Sequence, residues 1–331
     1  MRTVVVGFGF MGMTHTLNLL KDSRFQLKAI VDKTPENIAA KLGEQSGNFS
    51  TGTLASNDLS GVNIYSDFAE CLKAERPDLC IIAVHTALHH EMAEMALQAG
   101  ANVFLEKPFC IHIDEGERLI RLARSRGKLL MIGHVVRFMP AYNTLKRWID
   151  LQEYGRLEFL SLSRFSGVPT WGQWKERQRE FGSSGGALFD LVIHDIDFAQ
   201  WVCGIPDRID ARCLPGKLSN YDHVSALWRY ERSDLIVRIE GGNTFHAAYP
   251  FHAGFSARFE KASVFFSSQE PHHIKVATDT GTTLVPAGDA NDGFRDELRY
   301  FGDCIQHGVE PVACTPESAL DAVRICHKHT I

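Results

Sequence analysis

Three valines, Val4-Val5-Val6, run straight into Gly7-Phe8-Gly9-Phe10-Met11-Gly12. A Gly-x-Gly-x-x-Gly run alone is a weak pattern. Placed between an apolar strand and an apolar helical stretch, it has a specific physical meaning. Gly7 permits a tight turn, Gly9 lets a pyrophosphate approach the backbone, and Gly12 lets helix and strand pack closely. Phe10 and Met11 complete a turn whose N–H groups lie at the positive end of the helix, where a diphosphate is favoured. The glycine punctuation also marks a strand and turn rather than a leader segment. The segment is therefore expected to bind a dinucleotide through Gly7, Gly9, Phe10, Met11 and Gly12.

Asp32 closes the next apolar run, 20 residues beyond Gly12. That is the spacing of an acidic residue that holds the adenosine ribose hydroxyls. Its charge would repel a 2′-phosphate by a few kcal/mol at ~4 Å and surface-like screening. NAD is thus preferred over NADP, although Lys33 beside it tempers the discrimination. The plainer reading is that Asp32 caps the helix after it.

The first third of the chain alternates short apolar strands (3–6, 26–31, 79–84, 102–105) with helical patterns (11–20, 35–42, 68–74, 88–98). This alternation predicts a doubly wound parallel α/β sheet. Residues 46–61, rich in Ser, Thr, Asn and Gly, read as an insertion loop. One more strand is expected at 129–132 and a helix at 142–149. The pattern then changes to alternating strands at 157–165, 224–230, 235–240, 255–260 and 263–266, with closing helices at 295–306 and 316–328. Alternation of that kind signals antiparallel strands with one packed face. The expected division is a dinucleotide-binding domain over residues 1–122 and an α+β domain over residues 123–331. The second would carry a large open, predominantly antiparallel sheet.

At 331 residues with 44% hydrophobic and 23% charged residues, the chain has the composition of a globular two-domain protein. Its net charge of -5 supplies no basic excess for nucleic acid, and no apolar run is long enough to span a bilayer. None of the eight cysteines forms a Cys-x-x-Cys pair, so reduced thiols in a cytoplasmic protein are expected. The histidine clusters lack a recognised ligand spacing, so no metal is expected.

Three later stretches carry chemistry. Leu105-Glu106-Lys107-Pro108 ends the fifth strand. Gly133-His134-Val135-Val136-Arg137-Phe138-Met139-Pro140 follows the sixth. Gly185-Gly186-Ala187-Leu188-Phe189-Asp190-Leu191-Val192-Ile193-His194-Asp195-Ile196-Asp197 opens a helical pattern. On a helix, Asp190, His194 and Asp197 share one face. A His can take a hydroxyl proton near neutral pH, and a carboxylate one turn away can orient the ring. Lys107, at the carboxyl end of a parallel strand, can stabilise an alkoxide. The Lys107–Pro108 bond is a candidate for the cis form.

With the glycine turn, these stretches resemble the glucose–fructose oxidoreductase/inositol dehydrogenase (Gfo/Idh/MocA) family. Phe294…Glu297-Leu298…Phe301 and Thr315-Pro316-Glu317 extend the resemblance to the last helices. The resemblance implies a Rossmann domain joined to an α/β domain, and NAD(P)-dependent redox chemistry on sugars, inositols or related polyols. It matches Lys107, Asp190 and His194 to the family's catalytic Lys, Asp and His, and Glu106 to a Glu near the nicotinamide ribose. The stretch that normally contacts the nicotinamide half departs from the pattern. His85-Thr86 replace the usual Pro-Asn, while His89 keeps its place. His85 and His89 are accordingly expected at the cofactor.

Substrate contacts are expected from Lys107, Asp190, His194, Arg137 and Trp171. Arg137 can hold a hydroxyl or grip a carboxylate or phosphate in bidentate fashion. Trp171, in a loop with Trp174, Arg177 and Arg179, offers an aromatic face to a sugar, or else simply packs on the surface. A similar Arg137 segment in nucleotide-sugar 3-dehydrogenases makes a UDP-sugar an alternative substrate. Two further alternatives are an NAD-dependent glycoside hydrolase and a non-catalytic NAD(P)-sensing regulator. The alternating face of the second domain, around Trp228, Tyr230, Ser225 and Arg229, predicts a homodimer or homotetramer packed through that sheet.

Overall fold

The computed structural model describes residues 1–38, 42, 54–168 and 185–330. The chain divides into two compact units, Met1–His134 with Phe294–Leu320, and Val135–Gly293 with Asp321–Ile331.

In the first unit, the buried runs expected as strands form β1 (Arg2–Val6), β2 (Gln26–Val31), β4 (Leu79–Ile82), β5 (Asn102–Glu106) and β6 (Leu130–Gly133). A short β3 (Asn63–Tyr65) is added. The sheet order is β3-β2-β1-β4-β5-β6, and every pairing is parallel. Helices α1 (Phe10–Leu20), α2 (Phe68–Glu75), α3 (His89–Gln98) and α4 (Ile113–Arg126) connect the strands. The order reverses at β1, so the carboxyl ends of β1 and β4 flank the crevice in which such sheets bind ligands. The helix expected over 35–42 begins as a single 3-10 turn, Pro35–Asn37, and its later residues lie largely outside the described ones. Of the expected loop at 46–61, Ser56–Leu59 makes another 3-10 turn.

The second unit holds α5 (Pro140–Asp150), β7 (Leu157–Gly167), a π-helical turn (Leu188–Val192), α6 (Ile193–Cys203) and the strands β8 (Arg208–Leu214), β9 (His223–Arg229), β10 (Ile236–Phe245), β11 (His252–Phe259), β12 (Ser263–Ser267), β13 (His273–Thr278) and β14 (Gly281–Pro286). Its eight strands run β14-β13-β12-β11-β7-β10-β9-β8. All neighbours are antiparallel except β7 and β10. Leu160, Leu162, Val224, Ala226, Trp228, Val237 and Ile239 fill the buried face. Trp228 is therefore a core residue. The open face carries its neighbours Leu227 and Arg229, with the exposed apolar groups Ile236, Phe265 and Leu284.

The expected boundary at 122/123 is corrected to His134/Val135, and the chain returns to the first unit at Phe294. Side-chain packing explains the return. In α7 (Asp292–His307), the ring of Phe301 lies 6.2 Å from that of Phe104 in β5. The thiol of Cys314 donates to the Ile132 carbonyl at 3.2 Å, and Arg124 pairs with Glu317. The last helix, α8 (Pro316–Lys328), follows. All eight cysteines are free thiols. Among the described residues, no helix is long and apolar enough to cross a membrane.

Candidate active site

At the end of β1, Gly7 adopts φ +91°, and its N–H donates to Val31 O at 2.8 Å. A Cβ there would stand 2.6 Å from Ala83 O, and one on Gly12 would stand 1.9 Å from Gly7 O. Both close approaches require glycine. A Cβ on Gly9 would meet nothing within 4 Å, so its backbone faces open space. Gly9 caps α1 without a side chain, and no acidic residue stands in the first turn of that helix. A diphosphate fits this turn sterically and electrostatically.

Asp32 is built into the same turn. One carboxylate oxygen accepts from the Phe8 N–H at 2.9 Å, and the other accepts from the N–H and hydroxyl of Thr34 at 2.9 and 3.1 Å. It thus fixes the loop after β2 against the glycine turn, close to where the ribose reading places it.

At the ends of β4 and β5, His85 accepts a hydrogen bond from the Ala87 N–H at 3.3 Å. His89 is buried, with Nδ1 2.8 Å from Pro108 O and Nε2 3.1 Å from Val84 O. A neutral ring donates to one of these carbonyls at a time. Burial pulls its pKa down to about 4, against the pull of the two carbonyls. His89 is therefore a brace between the loops that follow β4 and β5. The Lys107–Pro108 peptide is cis. Glu106 is buried, with one oxygen 2.6 Å from His15 Nε2 and the other accepting from the Lys107 N–H at 3.2 Å.

In the second unit, the helical motif splits. Asp190 lies in the π turn and His194 in the first turn of α6, and both are half-buried in an otherwise largely buried segment. π turns recur at functional sites because they re-aim side chains. Asp197, expected on the same face, is buried and accepts two hydrogen bonds from Arg137. Arg137 is equally buried, and its guanidinium also lies over the Trp201 ring. With its fork turned to Asp197, Arg137 is a strut of this unit, which corrects its expected role as a substrate clamp. Asp195 pairs with Arg164 in the same bidentate way, at 2.9 and 3.0 Å. Burial opposes the charge on Arg164, but Asp195 holds its pKa above the usual value.

The sequence reading missed Asp222. Its buried carboxylate accepts from Leu218 N–H, Ser219 N–H, the Ser219 hydroxyl and Ala187 N–H. It anchors the Gly185-Gly186 approach to the π turn, and so the position of Asp190. Trp171, Trp174, Arg177 and Arg179 lie outside the described residues.

A glycine turn on a reversing parallel sheet, joined to a unit with a broad antiparallel sheet, defines a dinucleotide-binding oxidoreductase architecture. The chain belongs to the Gfo/Idh/MocA family: the model for "Oxidoreductase family, NAD-binding Rossmann fold" matches residues 1–134, and that for the GFO/IDH/MocA C-terminal domain matches residues 142–265. It is 23% identical over 335 residues to scyllo-inositol 2-dehydrogenase (NAD(+)) of Bacillus subtilis (strain 168), covering 97% of this chain and 90% of that protein. It is 28% identical over 214 residues to UDP-N-acetylglucosamine 3-dehydrogenase of Acidithiobacillus ferrooxidans, covering 65% and 58%. The fold is shared with levoglucosan dehydrogenase solved with NADH and levoglucosan (TM-score 0.84, 18% identity, 100% and 96% covered).

Proposed function

We propose that this oxidoreductase prefers NAD and oxidises a secondary hydroxyl of a cyclic polyol or sugar, or reduces the corresponding ketone. The observation that carries the reading is the π turn. It leaves Asp190 and His194 half-buried among Phe189, Val192, Ile193 and Asp195, which are buried. The relatives' names, inositol and sugar dehydrogenases, support the substrate class.

Bound at Gly7–Gly12 and Asp32, the nicotinamide cofactor supplies the hydride acceptor. His194 takes the hydroxyl proton, and Asp190 orients the imidazole and favours its charged form. Lys107 supplies the positive charge that meets the developing alkoxide. Asp32 rejects a 2′-phosphate by charge. A nucleotide sugar is the second substrate reading, supported by the relative that acts on UDP-N-acetylglucosamine. The open face of β7–β14, with exposed Ile236, Phe265 and Leu284, supports a homodimer or homotetramer in solution, which sedimentation tests. The eight free thiols suit a cytoplasmic setting.

A screen of inositols, aldoses, uronates and UDP-sugars with NAD and NADP, following the reduced cofactor, tests the reading. Release of an aglycone with no net reduced cofactor would make the protein a hydrolase instead.

A further inference from the structure

Behind Lys107, the first unit buries three acid–base side chains from three elements: His15 of α1, Glu106 of β5 and Glu297 of α7. One polar atom from each lies within 4.8 Å of the other two. The hydrogen bonds are unevenly distributed. Glu106 faces His15 at 2.6 Å and accepts from the Lys107 N–H. Neither oxygen of Glu297, which is 0% exposed, reaches a hydrogen-bond partner. Two carboxylates this close in an apolar interior cannot both keep a charge, and the charge settles where donors are. The donors are at Glu106.

We infer that Glu297 stands as a neutral carboxylic acid and acts as a positioning residue, leaving one carboxylate charge in the cluster so that Glu106 stays bound to His15 and to the Lys107 backbone. The surroundings fit. The Phe104 ring lies edge-on to His15 at 5.2 Å and against Phe301, walling the cluster from water. Gly133 of β6 faces Glu106, and a Cβ there would lie 3.3 Å from its oxygen. His89, a titratable neighbour of Glu106, is held low by burial and therefore adds no counter-charge at neutral pH. Burial, reinforced by Glu106, pushes the Glu297 carboxyl well above the ordinary carboxylate range. Ionising Glu297 would place a second negative charge beside Glu106 and loosen the end of β5 that carries Lys107.

The proton is a property of the first unit alone, whereas its service to Lys107 rests on the proposed dehydrogenase reading. The tests separate the two. Infrared spectroscopy of the wild type at pH 7 should show the carbonyl stretch of a protonated carboxylic acid, lost in Glu297→Gln. A folded pKa above the unfolded one means the folded state holds the extra proton. Wild-type melting temperature should therefore fall as pH rises above the carboxylate range, and the fall should be smaller in Glu297→Gln. NAD affinity should weaken with the same titration in the wild type and not in the variant. Titrating the infrared band of the wild type needs no variant to fold. Absence of the band, or an identical pH slope in the two proteins, would overturn the inference. So would a stoichiometric divalent metal that Glu297→Gln loses, because the three side chains would then be ligands. A failed substrate screen with the band intact would sink the dehydrogenase reading and leave the proton in place.

Discussion

Arg137 and Asp197 meet side by side in the core of the second unit, Nη2 to Oδ1 at 2.6 Å and Nε to Oδ2 at 2.7 Å. The sequence suggests instead a substrate contact for Arg137 and a helix face shared with Asp190 and His194 for Asp197. Breaking a buried pair leaves a stranded charge and costs about 3–5 kcal/mol, whereas replacing both partners with apolar groups is often neutral. Asp197→Asn should lower the melting temperature sharply, and Arg137→Met with Asp197→Leu should recover most of the loss. A stable Arg137→Met protein with only a raised KM would restore the substrate reading.

Asp32→Ala should narrow the preference for NAD over NADP by about tenfold or more, since a few kcal/mol of repulsion is removed. It should also weaken NAD itself, because the Phe8 N–H loses its acceptor. Titration of both cofactors by intrinsic fluorescence reads the two effects, and equal wild-type affinities would remove the ribose role.

His194→Ala should cut turnover by roughly 10²–10⁴-fold with little change in NAD binding. Lys107→Met should also lower turnover, and Asp190→Asn should be intermediate. If the three act as one unit, His194→Ala with Lys107→Met should lose much less than the product of the single losses. Single-turnover hydride transfer on the best substrate is the measurement. Near wild-type transfer in His194→Ala would make the π turn structural.

His329 predicts acid sensitivity. Its Nε2 accepts from the Trp228 indole at 3.1 Å and its Nδ1–H donates to Ile325 O at 2.8 Å, so the neutral ring is fully used. Burial lowers its pKa to about 4 against that carbonyl's opposing pull. The unfolded ring protonates near 6.5. Its contribution is therefore complete above about pH 6.5 and is lost as pH falls towards 4, by up to about 3 kcal/mol. Urea unfolding between pH 4 and 7 should show this slope, and His329→Gln should flatten it.

The parallel half was legible because its inner strands are apolar on both faces and short, and the glycine turn announces its first crossover. The strands that escaped notice are β3, β8, β13 and β14. Three of these are sheet edges, and no residue of β8 or β14 is buried, so no apolar alternation marks them. The spacing of Asp190, His194 and Asp197 implies one helix face, but a π turn has no periodic signature, and Asp197 pairs with the buried Arg137. Glu297 did leave a trace. It shares the helical stripe Phe294, Leu298 and Phe301, where a carboxylate belongs only if something buried needs it. His15 sits likewise between Gly12 and Leu19 on the buried side of α1.

The return of Phe294–Leu320 to the first unit has a consequence for synthesis on the ribosome. The nucleotide-binding half emerges first, with β1 to β6 complete once His134 is out. Yet Phe301, which covers Phe104, and Glu297, which completes the cluster at Glu106, follow only after all of Val135–Gly293. Until then the Phe104 side of the nascent sheet lacks the cover that α7 gives it. A fragment ending at His134 would hold the whole glycine turn and still be unfinished, so the half that binds the nucleotide cannot mature before the other half has been made.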